Sequence, residues 1–137
     1  MIIKEKKLDI PYARILTEAA IKIAYGSIYD PIAVAVVDES GRLVAFLKSS
    51  LKVLPVSDDL AIMKAKTAVM FGDDTSKLAN IPMDLAKYCN SPGGIILETP
   101  DGEILGGVGI SGRWKEGQTS DVDVATKAIA MANSHYD

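Results

Sequence analysis

Histidine and cysteine are nearly absent from this 137-residue sequence, which contains one of each. Cys89 has no second cysteine with which to form an internal disulfide, and no histidine lies nearby to complete a zinc site. His135 is the third residue from the end, a position typical of an ordinary surface residue. A Ser–His catalytic triad therefore has no convincing base, and we expect no metal site.

Clustered positive charge and long apolar runs are also missing. The net charge is −3, and the short basic run at residues 4–7 is interrupted by Glu5. Because a phosphate backbone is held by clustered cations, we expect no nucleic-acid partner. The longest apolar run, residues 32–37, is far too short to span a bilayer, so we expect no membrane partner. The first residues show no apolar signal segment, and with the lone cysteine this predicts a cytoplasmic protein.

Aromatic residues make up only 6% of the chain, whereas hydrophobic residues make up 48%. The core is therefore expected to consist mainly of alanine, valine and isoleucine side chains. The length is usual for one domain, and nothing in the sequence resembles a linker or an internal repeat. We predict a single domain over residues 1–137.

Two pairs of β-rich segments flank short turns, and they predict two β-hairpins. The paired segments are residues 31–38 with 42–47 and residues 95–98 with 103–110. The first segment is apolar at nearly every position, which is typical of a central strand covered on both faces. A further short strand is predicted over residues 2–8.

The first helix is predicted from its capping residues and from apolar residues spaced three and four apart. Asp9 is suited to the N-cap, and Pro11 fits the first turn, where its missing N–H costs little. Gly26 is expected to end this helix. A shorter helical segment, interrupted at Pro82, is predicted between residues 75 and 88.

Two more helices follow from the same spacing. One is expected to begin at the N-cap residue Ser57 and to end at residues 71–72. The other is expected to begin at Ser120, where Asp123 three residues later forms an imperfect capping box. The resulting order, β-α-β-β-α-β-β-α, predicts a layered α+β domain in which helices flank an antiparallel sheet.

Residues 107–112 match the dinucleotide-binding pattern G-x-G-x-x-G. In that pattern a helix opens at once, so that its N-terminus faces the pyrophosphate. Here residues 113–119 intervene before the predicted helix, and too little chain remains for a second strand with its ribose-binding carboxylate. We therefore interpret these glycines as positions where a backbone or a ligand lies close against the strand.

Two carboxylates are the candidate catalytic residues. Asp38 ends a buried strand and is explained by capping the amides of the following turn. Asp121 lies in the first turn of the last helix, where a negative charge favours the helix dipole. Either carboxylate is also a candidate for proton transfer. Lys64 and Lys66 point in different directions from the middle helix, and one of them is a candidate to contact an anionic ligand.

A series of short motifs runs through the chain. They are residues 36–38 with Gly41 and residues 43–45; Ala61, Lys64, Ala65, Thr67 and Ala68; residues 92–94; residues 106–112; and Asp121 with Val124 and Ala125. In these motifs the chain resembles the GlcG/HbpS family, also called the haem-degrading domain family, which includes the C-terminal domain of PduO-type proteins. The resemblance covers nearly the whole chain in the right order.

The resemblance implies a profilin-like or roadblock-like fold and homo-oligomers. Some relatives bind haem or are linked to its breakdown, and others lie near glycolate, diol or corrinoid metabolism. We therefore predict an oligomeric, small-molecule-binding accessory protein whose ligand is haem or a corrinoid. Two alternatives stay open: a cofactor-free lyase or isomerase that uses Asp38 or Asp121 as base on a small carboxylic or carbonyl compound, and a structural homo-oligomer without turnover.

The predicted ligand site lies where the glycine-rich strand faces the loop at residues 92–94 and the helix that carries Lys64. Backbone amides that glycine leaves open can hold a carboxylate of the ligand, and Lys64 can pair with it. The predicted ligand-binding residues are Lys64, Gly93, Gly94, Gly109, Ser111 and Gly112.

Overall fold

The computed structural model describes residues 8–112 and 119–136. These residues form the elements α1 (Ile10–Ala24), β1 (Ile32–Asp38), β2 (Leu43–Lys48), α2 (Pro55–Phe71), β3 (Gly94–Glu98), β4 (Ile104–Gly112) and α3 (Thr119–Tyr136). The strands form an antiparallel sheet in the order β2-β1-β4-β3. The predicted α+β arrangement and both predicted hairpins are confirmed. The strand predicted over residues 2–8 lies outside the described residues, apart from Leu8.

The two faces of the sheet differ in side-chain size, and this difference sets the layers. In β1, Val34 and Val36 point to the face that α1 and α3 cover, whereas Ala33 and Ala35 point to the face that α2 covers. Alternation of side chains along a strand produces this division. The larger core therefore lies between the sheet and α1 with α3, and α2 packs closely on a face of small residues.

The beginning of α1 follows the sequence prediction. The carboxylate of Asp9 accepts a hydrogen bond of 2.7 Å from the backbone N–H of Tyr12, and Pro11 occupies the first turn. A side-chain cap of this kind stabilises a helix by about 1 kcal/mol, because it pairs an amide that has no partner within the helix. Tyr12, Ala13, Leu16 and Ala20 form the buried face of the helix.

The predicted start of α2 at Ser57 is wrong. The helix begins at Pro55, its N-cap is Leu54, and Ser57 is buried within the first turn. The fixed φ of proline already suits the first helical position, so the helix starts there without a side-chain cap. Its predicted end is confirmed, because Gly72 adopts the left-handed conformation with φ +73° and caps Phe71.

The prediction of a helical segment over residues 75–88 is mostly wrong. A 3-10 turn at Thr75–Lys77 is the one helical element described there, and the remaining residues are irregular. The start of α3 differs from the prediction by one residue, since Thr119 is already helical. Asp123 accepts a short hydrogen bond from the hydroxyl of Tyr29 and pairs with Lys127 at 3.1 Å. None of the helices described here combines the length and apolar character needed to cross a membrane.

Candidate functional site

Lys64 lies at the middle of α2 and points into the protein. Its Nζ donates hydrogen bonds to the backbone carbonyl oxygen of Ile110 in β4, at 2.9 Å, and to Oδ2 of Asp121 in α3, at 3.1 Å. Only 3% of the Lys64 side chain and 5% of the Asp121 side chain is exposed. The pair therefore joins three elements, α2, β4 and α3, through a buried ion pair.

Burial dominates the electrostatics of Asp121. Loss of solvent raises the pKa of this carboxyl above its ordinary value, although Lys64 and the Gly112 backbone amide both favour the charged form. A raised carboxyl pKa in a buried setting is the property required of a general base. Asp121 has this property, and its catalytic role stays a prediction.

Gly93, the last residue before β3, and Gly94, the first residue of β3, lie beside this ion pair. Gly93 has φ +129°, and a Cβ there would lie 2.6 Å from the Ile110 carbonyl oxygen and 3.0 Å from Lys64 Nζ. A Cβ at Gly94 would lie 2.3 Å from the backbone oxygen of Lys64. Both positions thus require glycine, because Gly93 lies too close to the backbone of β4, and Gly94 too close to the backbone of α2, for a side chain.

The glycines of β4 contact the backbone of α2. A Cβ at Gly109 would lie 2.0 Å from the carbonyl oxygen of Ala61, and one at Gly107 would lie 2.6 Å from that of Ala65. The sequence predicted that either a backbone or a ligand lies against these glycines. In the structure, the backbone of α2 lies there. The alanines of α2 and the glycines of β4 therefore allow one close contact between helix and sheet.

The structure brings all six predicted ligand-binding residues close to the buried ion pair. Ser111 is buried beside Ile110, and Gly112 lies near the Asp121 carboxylate and the Pro31 carbonyl oxygen. Their described contacts are with other parts of this chain. Their part in ligand binding stays a prediction.

Asp38, the other catalytic candidate, lies at a different place. Its carboxylate accepts hydrogen bonds from the backbone amides of Ser40 and Arg42, at 2.9 and 3.0 Å, and so caps the β1–β2 turn. In the sheet Asp38 is the partner of Gly106, whereas the ion pair lies near Gly112. At about 3.3 Å per residue these two positions are about 20 Å apart, so the two carboxylates do not form one site.

Two buried polar residues outside the predicted set also bear on the site. Ser120, next to Asp121, has a buried Oγ without a hydrogen-bond partner among the described residues. Thr67 accepts a hydrogen bond of 2.9 Å from the amide of Cys89, and this contact holds the irregular segment against α2. Cys89 itself is buried, as expected for a small apolar residue. The described residues include no group of three or more potential ligands that could hold a metal ion.

An open groove between α1 and α3 was not anticipated from the sequence. Its volume is about 440 Å³, and its lining includes Ile15, Glu18, Ala19, Lys22, Met131 and His135. The two helices run antiparallel, because Tyr12 near the start of α1 hydrogen-bonds to Asn133 near the end of α3, at 2.7 Å. A second depression continues from Glu18 and Lys22 toward Tyr25 and Leu47. We call the first of these depressions the α1–α3 groove.

The sequence contained a partial signal for this groove. Met131 and His135 are four residues apart and so share one face of α3, while the groove residues of α1 follow the same helical spacing. Nothing in the sequence shows that the two faces adjoin, because the helices are separated by more than 90 residues.

The order of the short motifs along the chain and the fold both match those of one known family. The model of the family described as haem degrading protein HbpS-like matches residues 8–130. The chain belongs to the HbpS-like family. This confirms the predicted family, and the motif residues now have structural explanations in this HbpS-like chain: Asp38 caps a turn, Lys64 pairs with Asp121, and the glycines of β4 contact α2.

Solved structures agree with this assignment. The structure of a PduOC:heme complex has a TM-score of 0.79 and 30% sequence identity, covering 91% of this chain and 94% of that one. A double mutant of Streptomyces reticuli HbpS has a TM-score of 0.79 and 28% identity, covering 93% and 88% of the two chains. Klebsiella pneumoniae protein ORFY, at 18% identity and a TM-score of 0.81 over 96% and 94%, shows the fold alone. No curated protein sequence matches this chain significantly.

Proposed function

We propose that this protein is a haem-binding accessory protein of the cytoplasm that works as a homo-oligomer. The observation that carries the proposal is the likeness to the PduOC:heme complex, which extends over 91% of this chain at 30% identity. Family membership adds support, because the matching family is described by haem degradation. One fold hosts many functions, so the proposal also needs residues in this chain that suit haem.

The buried ion pair does not suit a haem. At Gly93, Gly94 and Gly109 even a single added carbon would lie 2.0 to 2.6 Å from a backbone oxygen. A packing too tight for one methyl group has no room for a macrocycle. A ligand that contacts Lys64 and its neighbouring glycines must therefore be smaller than the haem or corrinoid predicted from the sequence.

The α1–α3 groove offers more room than the surroundings of the ion pair. Its volume of about 440 Å³ lies within the range of small-molecule pockets. It presents an imidazole and a thioether, both of which ligate haem iron in proteins, beside aliphatic side chains and the ammonium group of Lys22. A haem in the groove would contact His135, Met131 and Lys22, and it would supply iron chemistry that these side chains lack.

The first test is an absorbance titration of the purified protein with haem, run beside a cobalamin titration. We expect a saturable shift of the Soret band that ends near one haem per chain. The same titration in urea serves as the control, because haem that merely adsorbs to apolar segments also binds the unfolded chain. A linear, unsaturable response would contradict haem binding, and saturation by cobalamin alone would identify a corrinoid as the ligand instead.

Exposed apolar side chains support the oligomeric part of the proposal. Leu51 is 96% exposed, and Leu54 and Val56 are also exposed, so three exposed apolar residues lie within six positions of the chain where α2 begins. A patch of this kind on a soluble protein usually marks a contact surface. We expect light scattering to give a mass that is a multiple of the 14.6 kDa chain mass.

The matched variant for this measurement is Leu51→Lys, which places a charge in the patch without touching the core. The variant is expected to lower the mass, because a buried unpaired charge opposes association. A wild-type mass of 14.6 kDa at micromolar concentration would refute the oligomer and leave the haem proposal standing.

A further inference from the structure

The two edges of the sheet differ in how their backbone groups are paired. Every second residue of an antiparallel strand directs its N–H and C=O toward the neighbouring strand, and the others point away. At the β3 edge the amide of Gly94 donates a hydrogen bond of 2.9 Å to Thr75 Oγ1. The amide of Ile96 donates one of 3.0 Å to Asp74 Oδ1. Side chains of the same chain therefore close the β3 edge against a further strand.

The β2 edge has no such cover among residues 8–112 and 119–136. The amide of Ser49 donates a hydrogen bond of 2.9 Å to the carbonyl oxygen of Ile32, at the start of β1. By alternation, Phe46 and Lys48 direct their amides away from β1. Neither amide donates a hydrogen bond to another described residue. A row of open backbone groups of this kind pairs most readily with another extended strand.

The middle of β2 also lacks the features that usually protect an edge strand. Residues 43–47 contain neither proline nor a charge, and Leu43 and Leu47 are 50% and 38% exposed. The register shift against β1 lies at the beginning of β2. Lys48, at its end, pairs with Asp58 of α2 at 3.2 Å, so its charge is offset within the chain. The strand is therefore suited to pairing along its centre.

Exposed apolar side chains accompany this edge. Leu47 lines the same depression as Tyr25 of α1, which is 72% exposed. Leu51 and Leu54 are also exposed, and they follow the end of β2 by three and six residues. A second copy of the chain brings a strand for the open edge together with apolar side chains that can cover these residues. An isolated peptide strand supplies only the first.

The β2 strand is compatible with its own copy in an antiparallel register centred on Phe46. The outward-facing Phe46 residues then pair with each other, and Lys48 faces Val44 of the second copy. The two Lys48 residues are four positions apart along the paired strands, which is about 13 Å, so no like charges face each other. Leu47 lies opposite Ala45 of the second copy, where its exposed part is covered.

We propose that two copies of this chain associate through their β2 strands, which pair antiparallel and join the two four-stranded sheets into one. This inference rests on the homo-oligomer of the proposed function and adds its interface. The pairing uses the β2 edge of both copies, so an oligomer larger than a dimer needs a further contact surface.

The first test is Leu47→Lys, which places a charge beside the paired strands. We expect the dissociation constant to rise by about tenfold or more, because an unpaired charge is costly to bury, and the mass from light scattering to fall to half or less. Ile81→Lys is the matched control, since Ile81 is 42% exposed and lies in the irregular segment that follows the turn at Thr75–Lys77. The control is expected to keep the wild-type mass. Circular dichroism checks that both variants fold.

Amide hydrogen exchange, resolved by residue, tests the strand pairing itself. We expect the amides of Phe46 and Lys48 to exchange at least about tenfold faster in Leu47→Lys than in the wild type. The amides of Gly94 and Ile96 are the internal control, because side chains of the same chain hold them in both proteins. Slow exchange of Phe46 and Lys48 in a monomeric variant would show that another part of the same chain covers the edge, and it would overturn the proposal.

The outcomes separate this inference from the proposed function. If the wild type is a monomer, the homo-oligomer and the β2 interface both fail. If the wild type is an oligomer in which the Phe46 and Lys48 amides exchange freely, or if Leu47→Lys keeps the wild-type mass, the oligomer stands and the β2 interface is overturned. A lowered mass together with faster exchange at these two amides supports both.

Discussion

Replacing Gly109 by alanine is expected to destabilise the protein by at least about 3 kcal/mol. The added Cβ would lie 2.0 Å from the carbonyl oxygen of Ala61 and 2.7 Å from the amide nitrogen of Ala65. Both atoms belong to the backbone of α2, so no side chain can rotate away to make room. The helix must instead move off the sheet, which separates the close-packed faces of α2 and β4. Urea denaturation followed by circular dichroism measures the loss of stability.

Gly102→Ala is the matched control for this variant. Gly102 has φ +89°, but an added Cβ would have no described atom within 4 Å, so alanine there meets conformational strain and no steric clash. The expected cost is about 1–2 kcal/mol. If Gly109→Ala costs no more than Gly102→Ala, then α2 can shift without loss, and the close contact is not what keeps this helix on the sheet.

Elements defined by local signals were the ones predicted correctly. Each of these signals lies within a few neighbouring residues. They are the turn glycines and β-rich segments of the two hairpins, and the Asp9 cap of α1. The start of α2 was missed because Ser57 and Pro55 are competing local signals, and the proline determines the first turn. Residues 75–88 contain helix-favouring side chains, yet contacts with other segments, such as Thr67 with Cys89, hold the end of this stretch in an irregular path.

The candidate site, in contrast, depends on contacts between residues that are far apart in the sequence, and these contacts were not predicted. The sequence singled out Lys64, Asp121 and the glycines as special, but it could not show that the first two pair, because 57 residues separate them. Helical spacing predicts which face of a helix is buried and does not show which neighbour covers it. The α1–α3 groove was missed for the same reason, since Met131 and His135 gain meaning only beside α1.

Breaking the buried ion pair from one side is expected to cost about 3–5 kcal/mol, whichever partner is removed. Lys64→Met leaves the Asp121 carboxylate buried without its cation, and Asp121→Asn leaves the Lys64 ammonium group without its anion. The double variant removes both charges, so it is expected to be more stable than either single variant. A double-mutant cycle of unfolding free energies measures the coupling. Additive losses would contradict a direct interaction.

The double variant also tests the ligand-binding prediction for Lys64, because we expect it to remain folded. If Lys64 contacts an anionic ligand, the double variant loses affinity for small carboxylates that the wild type binds. Unchanged affinity removes Lys64 from the predicted ligand set.

The pH dependence of Lys64→Met identifies which charge causes its instability. Burial already raises the pKa of Asp121 above the ordinary 3.8, and Lys64 opposes that rise, so removing Lys64 raises the folded-state pKa further. Between the unfolded and folded pKa values of Asp121, the native state then binds more protons than the unfolded state, and stability falls as pH increases.

The loss of stability of Lys64→Met relative to the wild type is therefore expected to be largest near neutral pH and to shrink toward pH of about 4. Asp121→Asn lacks the carboxyl and should not show this trend. A Lys64→Met deficit that stays constant from neutral to acidic pH would indicate lost packing of the lysine stem rather than an unpaired buried carboxylate.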